Sequence, residues 1–345
     1  MPVNGDAPVA KAHKSRPRPY LDVAVIGLGA IGAAHVEAVR KAPSARLAAV
    51  VDVDAHRAAD VAAATGSLAF TSIDDLVAHA DIDMAIIATP DSLHVEAVKK
   101  MAAVGSAVLL EKPIATSVAD AADILEAVAE SGIAFTVGHC LRFDPKYVEL
   151  KRRIGAGELG DLATIYARRQ NQVGVAERLK GRVSSLLFLG VHDIDIVNWY
   201  IDSQPVSVYC ASASGVLQAR GIPVDDVSFT TVRYANGAVA VVESGWLLPP
   251  TYPRSGHFEL VATGSRGVGR LDEFDEGLWV ANETFKHIPL VDRLTPQVQH
   301  FAEVILSGEK PLVSGSDAAL AMEVALAAEV SAKENREVRL PLSGT

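Results

Sequence analysis

Val23-Ala24-Val25-Ile26-Gly27-Leu28-Gly29-Ala30-Ile31-Gly32 decides the fold of this chain, because a short apolar strand runs directly into three glycines spaced G-x-G-x-x-G. A helical stretch from Ala33 to Lys41 follows, then a second apolar run from Leu47 to Val51, and Asp52 stands twenty residues beyond Gly32. The glycines alone are weak evidence. The strand before them, the helix after them and the spaced carboxylate together describe a dinucleotide-binding unit. Gly27 permits the tight turn, Gly29 removes a side chain that would block a pyrophosphate, and Gly32 lets the helix pack closely on the strand. Ala30 and Ile31 lie inside the same loop and join the glycines as expected cofactor contacts. The helix N-terminus offers unpaired N–H groups and partial positive charge to the phosphates. The competing reading is a glycine-rich turn that binds nothing, and the match of the whole unit speaks against it.

Asp52 bears on which dinucleotide binds. A carboxylate there accepts hydrogen bonds from the adenosine ribose and repels a 2′-phosphate, which points to NAD over NADP. Arg57 is near enough in sequence to pair with a phosphate, but Asp54 adds to the negative field.

Working outward, residues 22–137 alternate short apolar runs with Ala-rich helical segments. The runs are Val23–Ile26, Leu47–Val51, Met84–Ala88, Ala107–Leu110 and Ala134–Val137, and the intervening segments 56–64, 91–104 and 117–131 carry helical periodicity. This pattern means a doubly wound parallel sheet with helices on both faces, and burial on both faces explains why the strands are apolar throughout. After residue 140 alternating runs appear at Val206–Ala213, Val227–Tyr234, Ala238–Glu243, Phe258–Thr263 and Gly267–Leu271, with Asn236-Gly237 as a two-residue hairpin signal. They predict an antiparallel meander in a separate α+β domain. Two helices follow, one opening at Thr295-Pro296 and one running from near Ser316-Asp317 to near Lys333. The expected division is a flexible arm at 1–19, a Rossmann domain at 20–138 and a substrate-binding and oligomerisation domain at 139–345, whose C-terminal helix is able to pack back on the Rossmann domain.

Composition narrows the function. The chain has 345 residues, half of them apolar, and a formal net charge of −10. That charge argues against nucleic acid or an anionic membrane as partner. No apolar run approaches the roughly 20 residues needed to span a bilayer. The basic N-terminal residues lack an apolar core and do not form a secretory signal. Cys140 and Cys210 sit beside apolar segments and read as buried thiols of a reducing, cytoplasmic protein. No Cys and His spacing suits a metal.

Three stretches stand out chemically. Thr89-Pro90-Asp91-Ser92-Leu93-His94 follows a buried strand, so it should face the nicotinamide half of the cofactor. Glu111-Lys112-Pro113 ends another strand, where a lysine beside a carboxylate is able to hold or move a proton. His192-Asp193-Ile194-Asp195 opens a helix whose Ile196 and Trp199 lie one and two turns on. Taken alone, His192 fits a packed core histidine better than a catalytic one.

Gly27–Gly32, the Thr89–His94 loop, Glu111-Lys112-Pro113, Gly138–Pro145 with Arg142-Phe143, and Gly190-Val191-His192-Asp193-Ile194-Asp195 come in an order and spacing that resemble the glucose–fructose oxidoreductase/inositol dehydrogenase family (Gfo/Idh/MocA). The resemblance covers about residues 20–341, and the Glu-Lys-Pro and His-Asp-Ile-Asp motifs are more specific than the glycines. It implies an N-terminal Rossmann domain plus a C-terminal α+β domain with a large, mainly antiparallel open sheet that often mediates homodimers or homotetramers. It implies that Lys112 and His192 are catalytic and flank the reacting carbon of a sugar or polyol. Implied cofactor contacts are Gly27, Gly29, Ala30, Ile31, Gly32, Asp52, Thr89, Pro90, His94, Glu111 and Lys112, with NAD as cofactor. Implied substrate contacts are Lys112, Arg142, Arg169, Phe188 and His192.

One departure matters. Many family dehydrogenases carry Asp four residues before the His, and here that residue is Phe188, with Ser184-Ser185 replacing the usual upstream glycines. Phe188 is unable to accept a proton. It offers an apolar wall or a surface for a sugar face. Arg168, Arg169, Arg178, Lys180 and Arg182 cluster nearby in an acidic protein. They read either as a solvated loop or subunit contact, or as recognition of an anionic substituent. The leading expectation is NAD-dependent oxidation of a secondary hydroxyl on a sugar, inositol or related polyol, anionic if the basic cluster binds it. The runner-up is a redox-neutral NAD-dependent glycosidase that oxidises, eliminates, hydrates and re-reduces. The third is a non-catalytic NAD-binding sensor.

Overall fold

The computed structural model describes residues 19–272, 277–281 and 292–342, and the chain divides into two compact units. The first comprises residues 1–140 and 292–319, the second 141–291 and 320–345. Apart from Pro19, the expected N-terminal arm lies outside the described residues.

The first unit holds a six-stranded parallel sheet. Its strands are β1 (Leu21–Ile26), β2 (Ala45–Val51), β3 (Leu68–Phe70), β4 (Met84–Ile87), β5 (Ala107–Leu110) and β6 (Phe135–Val137), in the order β3-β2-β1-β4-β5-β6. β1, β4, β5 and β6 are buried along their whole length, as expected for strands covered on both faces. The helices between them are α1 (Ala30–Lys41), α2 (Ala55–Thr65), α3 (Ile73–His79), α4 (His94–Ala103) and α5 (Val118–Ser131). Asp54, Ser72 and Ser117 cap α2, α3 and α5 by accepting backbone N–H groups, which satisfies donors the helices leave open. β3 and α3 were not foreseen, because a three-residue strand is too short to show a pattern.

The order places β1 beside β4, so the chain reverses direction of build-out there and leaves a crevice at the carboxyl ends of both strands. The first unit is completed from far along the sequence. Helix α9 (Leu294–Ser307) contributes Val298, Phe301 and Val304 to the same apolar core as Val36 and Val39 of α1. An uninterrupted 139–345 domain is therefore corrected, since residues 292–319 group with the first unit. The cap of α9 is also corrected. Asp292, not Thr295, accepts the N–H groups of Leu294 and Thr295.

The second unit contains an eight-stranded sheet. Its strands are β7 (Leu162–Gln172), β8 (Pro205–Ala213), β9 (Val227–Tyr234), β10 (Val239–Leu248), β11 (Gly256–Gly264), β12 (Val268–Asp272), β13 (Gly277–Ala281) and β14 (Val338–Arg339). The order is β13-β12-β11-β7-β10-β9-β8-β14. Gly237 takes a positive φ of 89° in the hairpin between β9 and β10, as Asn236-Gly237 predicts. The sheet is mainly antiparallel, as expected, with one exception: β7 enters the middle and pairs parallel with β10 while the other neighbours pair antiparallel. The run Arg168-Arg169-Gln170-Asn171-Gln172 hides β7 from an apolar pattern.

Helices of this unit are α6 (Pro145–Gly155), α7 (Val173–Leu179) and α8 (Val191–Ile201), the last preceded by a π-helical turn at Leu186–Gly190. Helix α10 (Gly315–Glu334) begins in the first unit and continues in the second. Ser314 and Asp317 cap its start reciprocally, at 3.0 and 3.1 Å. Among the described residues no helix is long and apolar enough to cross a membrane. Cys140 is half-buried, Cys210 is buried, and they are not linked to each other.

Candidate active site

The glycine loop is fixed by contacts that tolerate no side chain. A Cβ on Gly27 would lie 2.6 Å from the Ala88 carbonyl oxygen, and Gly27 has φ +89°. A Cβ on Gly32 would lie 1.8 Å from the Gly27 carbonyl oxygen. Gly29 differs, since a Cβ there would meet nothing within 4 Å. Its missing side chain leaves open space directly before α1. No side chain caps that helix, and no acidic residue stands in its first turn. Ala30 and Ile31 are exposed at the same place. Backbone N–H groups and the positive end of the helix dipole therefore face an open position, which fits a pyrophosphate.

Asp52 follows β2 and is only 6% exposed. Its carboxylate accepts from Leu28 N at 2.8 Å, Asp54 N at 2.9 Å and the Arg57 guanidinium at 3.1 Å. Burial pushes the carboxyl up, but the two backbone donors and Arg57 outweigh it and hold the group below the usual carboxylate range. The residue that would meet the ribose thus also pins the glycine loop.

Thr89 and Pro90 follow β4, half-buried and exposed respectively, and the Thr89 Oγ1 meets no hydrogen-bond partner among the described residues. His94 is corrected as a direct cofactor contact. Its ring is buried, with Nδ1 at 3.1 Å from the Pro113 carbonyl and Nε2 at 3.2 Å from the Thr89 carbonyl. It ties the Thr89 loop to the Lys112 loop, and burial holds it below its ordinary pKa. Glu111 is likewise turned inward. One carboxylate oxygen lies 2.7 Å from His35 Nε2, and the other accepts the Lys112 N–H at 3.1 Å. Burial pushes Glu111 up, and the hydrogen bond and charge of His35, then the charge of Lys112, bring it below the usual range. Lys112 itself is half-buried at the carboxyl end of β5.

His35 was not foreseen as part of this arrangement. The available signal was a polar residue on the apolar face of α1, three residues after Gly32 and four before Val39.

In the second unit His192 is half-buried near the start of α8. Its neighbours anchor the helix. Arg169 grips Asp193 at 2.6 and 3.0 Å, and Arg142 grips Asp195 at 2.9 and 2.6 Å, all four side chains being buried. Arg169 also lies over the Phe258 ring at 4.3 Å and Arg142 over Trp199 at 5.4 Å. Both arginines are expected as substrate contacts, and each is buried against a carboxylate partner. Their planar forks are filled by carboxylates from the same short motif as His192. Asp195 is equally unsuited to replace the acid missing at residue 188. Arg168 forms an ion pair with Glu243 at 3.1 Å, so two of the five cationic residues of the cluster, Arg168 and Arg169, have carboxylate partners within the unit.

Phe188 is half-buried. The π-helical turn Leu186–Gly190 widens the spacing between residues 188 and 192, so they do not stack one α-helical turn apart. Phe188 packs on Trp246, with ring centroids 5.5 Å apart, and on an apolar cluster that includes Val173, Leu189, Leu217 and Ile222. The Ser184 hydroxyl accepts the Leu187 N–H at 3.1 Å and donates to Glu329. Burial raises Glu329, and the Ser184 bond only partly offsets it.

The described residues place Lys112 with the glycine loop in one unit and His192 with its arginine-held helix in the other. Comparison with known proteins agrees with this division. Residues 21–139 match the model of the oxidoreductase family with an NAD-binding Rossmann fold, and 147–269 match the GFO/IDH/MocA C-terminal domain. The chain is 30% identical over 333 residues to the scyllo-inositol 2-dehydrogenase (NAD(+)) of Bacillus subtilis, covering 92% of this chain and 95% of that protein. It is 28% identical to the inositol 2-dehydrogenase of Rhizobium meliloti, covering 92% and 98%. In fold it is similar to scyllo-inositol dehydrogenase from Lactobacillus casei solved with NAD(H) and scyllo-inositol, with a TM-score of 0.82, 22% identity and coverage of 93% and 99%. The chain belongs to the GFO/IDH/MocA family of oxidoreductases, whose N-terminal domain is an NAD-binding Rossmann fold.

Proposed function

We propose that this protein is an NAD-dependent dehydrogenase that oxidises a secondary hydroxyl of an inositol or a closely related polyol. The observation that carries the reading is Lys112. It stands half-buried at the carboxyl end of β5, in the same unit as the glycine loop, with its backbone held by Glu111. The named inositol dehydrogenases that match nine-tenths of the chain supply the substrate class. NAD, when bound, supplies the hydride acceptor. Gly27, Gly29, Gly32 and the first turn of α1 hold its pyrophosphate, and Asp52 its adenosine ribose. Lys112, as the free amine, takes the hydroxyl proton of the substrate as the carbonyl forms. His192 hydrogen-bonds the same hydroxyl or its neighbour, and the buried Arg169–Asp193 and Arg142–Asp195 pairs keep its helix in place. Because those arginines are occupied, the reading favours an uncharged polyol over an anionic one.

The open face of the second sheet supports assembly into a homo-oligomer. Tyr209 and Phe229 are 43% and 45% exposed on it. Beside them Glu243, Arg168, Glu259 and Asp272 form one row across four strands. The two cysteines without a mutual disulfide suit a cytoplasmic enzyme.

The test is incubation with NAD and a panel of inositols, sugars and glycosides, following reduced cofactor and product mass together. Reduced NAD formed in step with an inosose is the expected result, and Lys112→Met abolishes it while NAD still binds. Absence of any reduced cofactor with every polyol overturns the reading. Glycoside cleavage without net reduction replaces it by the redox-neutral mechanism.

A further inference from the structure

We propose that His35 is a positioning residue for Lys112, acting through Glu111 from inside the helix that holds the cofactor. The inference rests on the reading of Lys112 as proton acceptor, and its test includes a measurement that does not depend on turnover.

The geometry is a short chain of contacts. His35 lies in α1 five residues after Ala30, the first residue of that helix, and is 0% exposed. Its Nε2 is 2.7 Å from Glu111 Oε1. Glu111 Oε2 accepts the backbone N–H of Lys112 at 3.1 Å. Glu111 sits so tightly against the end of β6 that a Cβ on Gly138 would lie 3.1 Å from its carboxyl group. The carboxylate, held on both oxygens, links the side of α1 to the backbone of the lysine. The start of the same helix faces the open position at Gly29. One rigid element therefore fixes both where the pyrophosphate sits and where the lysine backbone stands.

The arrangement is costly unless it is used. A carboxylate withdrawn from water needs donors on both oxygens, and it has them here. His35 Nδ1 has no hydrogen-bond partner among the described residues, so Nε2 is the atom that matters. With Glu111 ionised, Nε2–H is the donor. The charged or titratable groups that act on Glu111 are His35 from α1, His94 from α4 and Lys112 beside it, while Gly138 contributes backbone only. The negative charge of Glu111 favours the ammonium form of Lys112. Removing the His35 donor leaves a buried carboxylate that burial drives toward the neutral acid, and Lys112 then loses both its anchor and its negative neighbour.

The experiment compares His35→Leu, His35→Gln, Glu111→Gln and the double variant His35→Leu/Glu111→Gln in the full-length protein. Competitive acylation of Lys112, read by mass spectrometry across pH without cofactor, gives its titration directly. NAD affinity by calorimetry and kcat with the best polyol accompany it. In His35→Leu the Lys112 titration shifts to lower pH, kcat falls about tenfold or more, and the Kd for NAD stays within about twofold. Glu111→Gln shifts Lys112 the same way, and the double variant is no worse than the worse single one. Gln keeps an N–H donor near the position of Nε2, so His35→Gln recovers most of the loss. A fall in thermal stability with an unmoved Lys112 titration and unchanged kcat overturns the proposal and leaves His35 a packing residue. Additive losses in the double variant also overturn it. If the titration moves as stated but Lys112→Met remains active, the lysine is not the base, and the fault lies with the functional reading instead.

Discussion

Asp52→Asn is the sharpest test of how this chain chooses its dinucleotide. Asp52 accepts the Leu28 and Asp54 N–H groups on separate oxygens, at 2.8 and 2.9 Å, and asparagine keeps an oxygen for one of them, the buried Leu28 N–H. It removes the charge and releases Arg57 from its 3.1 Å contact. Two effects then act on a 2′-phosphate. At about 4 Å and an effective dielectric near 20, each unit charge on the phosphate interacts with the carboxylate by about 4 kcal/mol, and the adjacent guanidinium cancels roughly half of that. Arg57, half-exposed and no longer paired with residue 52, becomes a charge-assisted donor for the phosphate. NAD meanwhile loses a ribose hydrogen bond to a charged acceptor, worth about 1.5–3 kcal/mol. The preference for NAD should narrow by about 2–4 kcal/mol, or roughly 30- to 900-fold in the ratio of dissociation constants. Asp52→Ala should narrow it similarly and also weaken both cofactors, because the buried Leu28 N–H is left without its acceptor at a cost of about 1–3 kcal/mol. Calorimetric titration of both cofactors into the wild type and both variants reads all of this. A wild type that binds NADP more tightly than NAD, or an Asn variant with an unchanged ratio, refutes the reasoning.

Arg142→Met strands the buried Asp195 carboxylate, so it should cost about 3–5 kcal/mol of stability in denaturant melts, whereas Arg142→Met/Asp195→Leu should recover most of it. If the single variant melts normally and only KM rises, Arg142 touches substrate after all. Burial raises Glu329 above the ordinary glutamate value, so the neutral form is favoured in the folded chain. That contribution is complete at low pH and is lost as pH rises through the raised value, and Glu329→Gln should therefore melt higher than wild type at pH 8 and show a flatter pH dependence, measured by thermal scans at several pH values. Phe188→Asp should lower the melting temperature without raising turnover, since it puts a carboxylate into the Trp246 cluster. A several-fold gain in kcat at unchanged KM would show that the acid still has a role to resume there.

What could be read in the sequence follows from how local the physics is. Glycine roles are local. The turn at Gly27 and the helix contact at Gly32 need only neighbouring backbone, and both are present in the structure. Parallel strands buried on both faces are legible as apolar runs, and so β1, β4 and β5 stood out. Strand β7 did not, because its second half carries arginines and amides whose partners, Asp193 and Glu243, come from 24 and 73 residues away. The π-helical turn before α8 was equally hidden. It depends on Phe188 and Leu189 finding Trp246 and Leu217 across the sheet, and an α-helical wheel drawn through residue 192 assigns the wrong face.

The same distinction separates arginines that recognise ligands from arginines that hold a scaffold. An acidic chain with a local excess of positive charge invites an anionic ligand, and sequence alone offers no way to see that the answering charges are already inside. For Arg168 and Arg169 they are Glu243 and Asp193, and Arg142 is answered in the same way by Asp195. Both aspartates follow His192 within three residues. In three dimensions each carboxylate is bound by an arginine fork, and the pair fixes the helix that carries the imidazole. The motif therefore holds two residues that fix the position of the proposed catalytic histidine. In Glu111-Lys112 the carboxylate is likewise turned inward, to His35. In both units a charged neighbour of a proposed catalytic residue spends its charge on geometry.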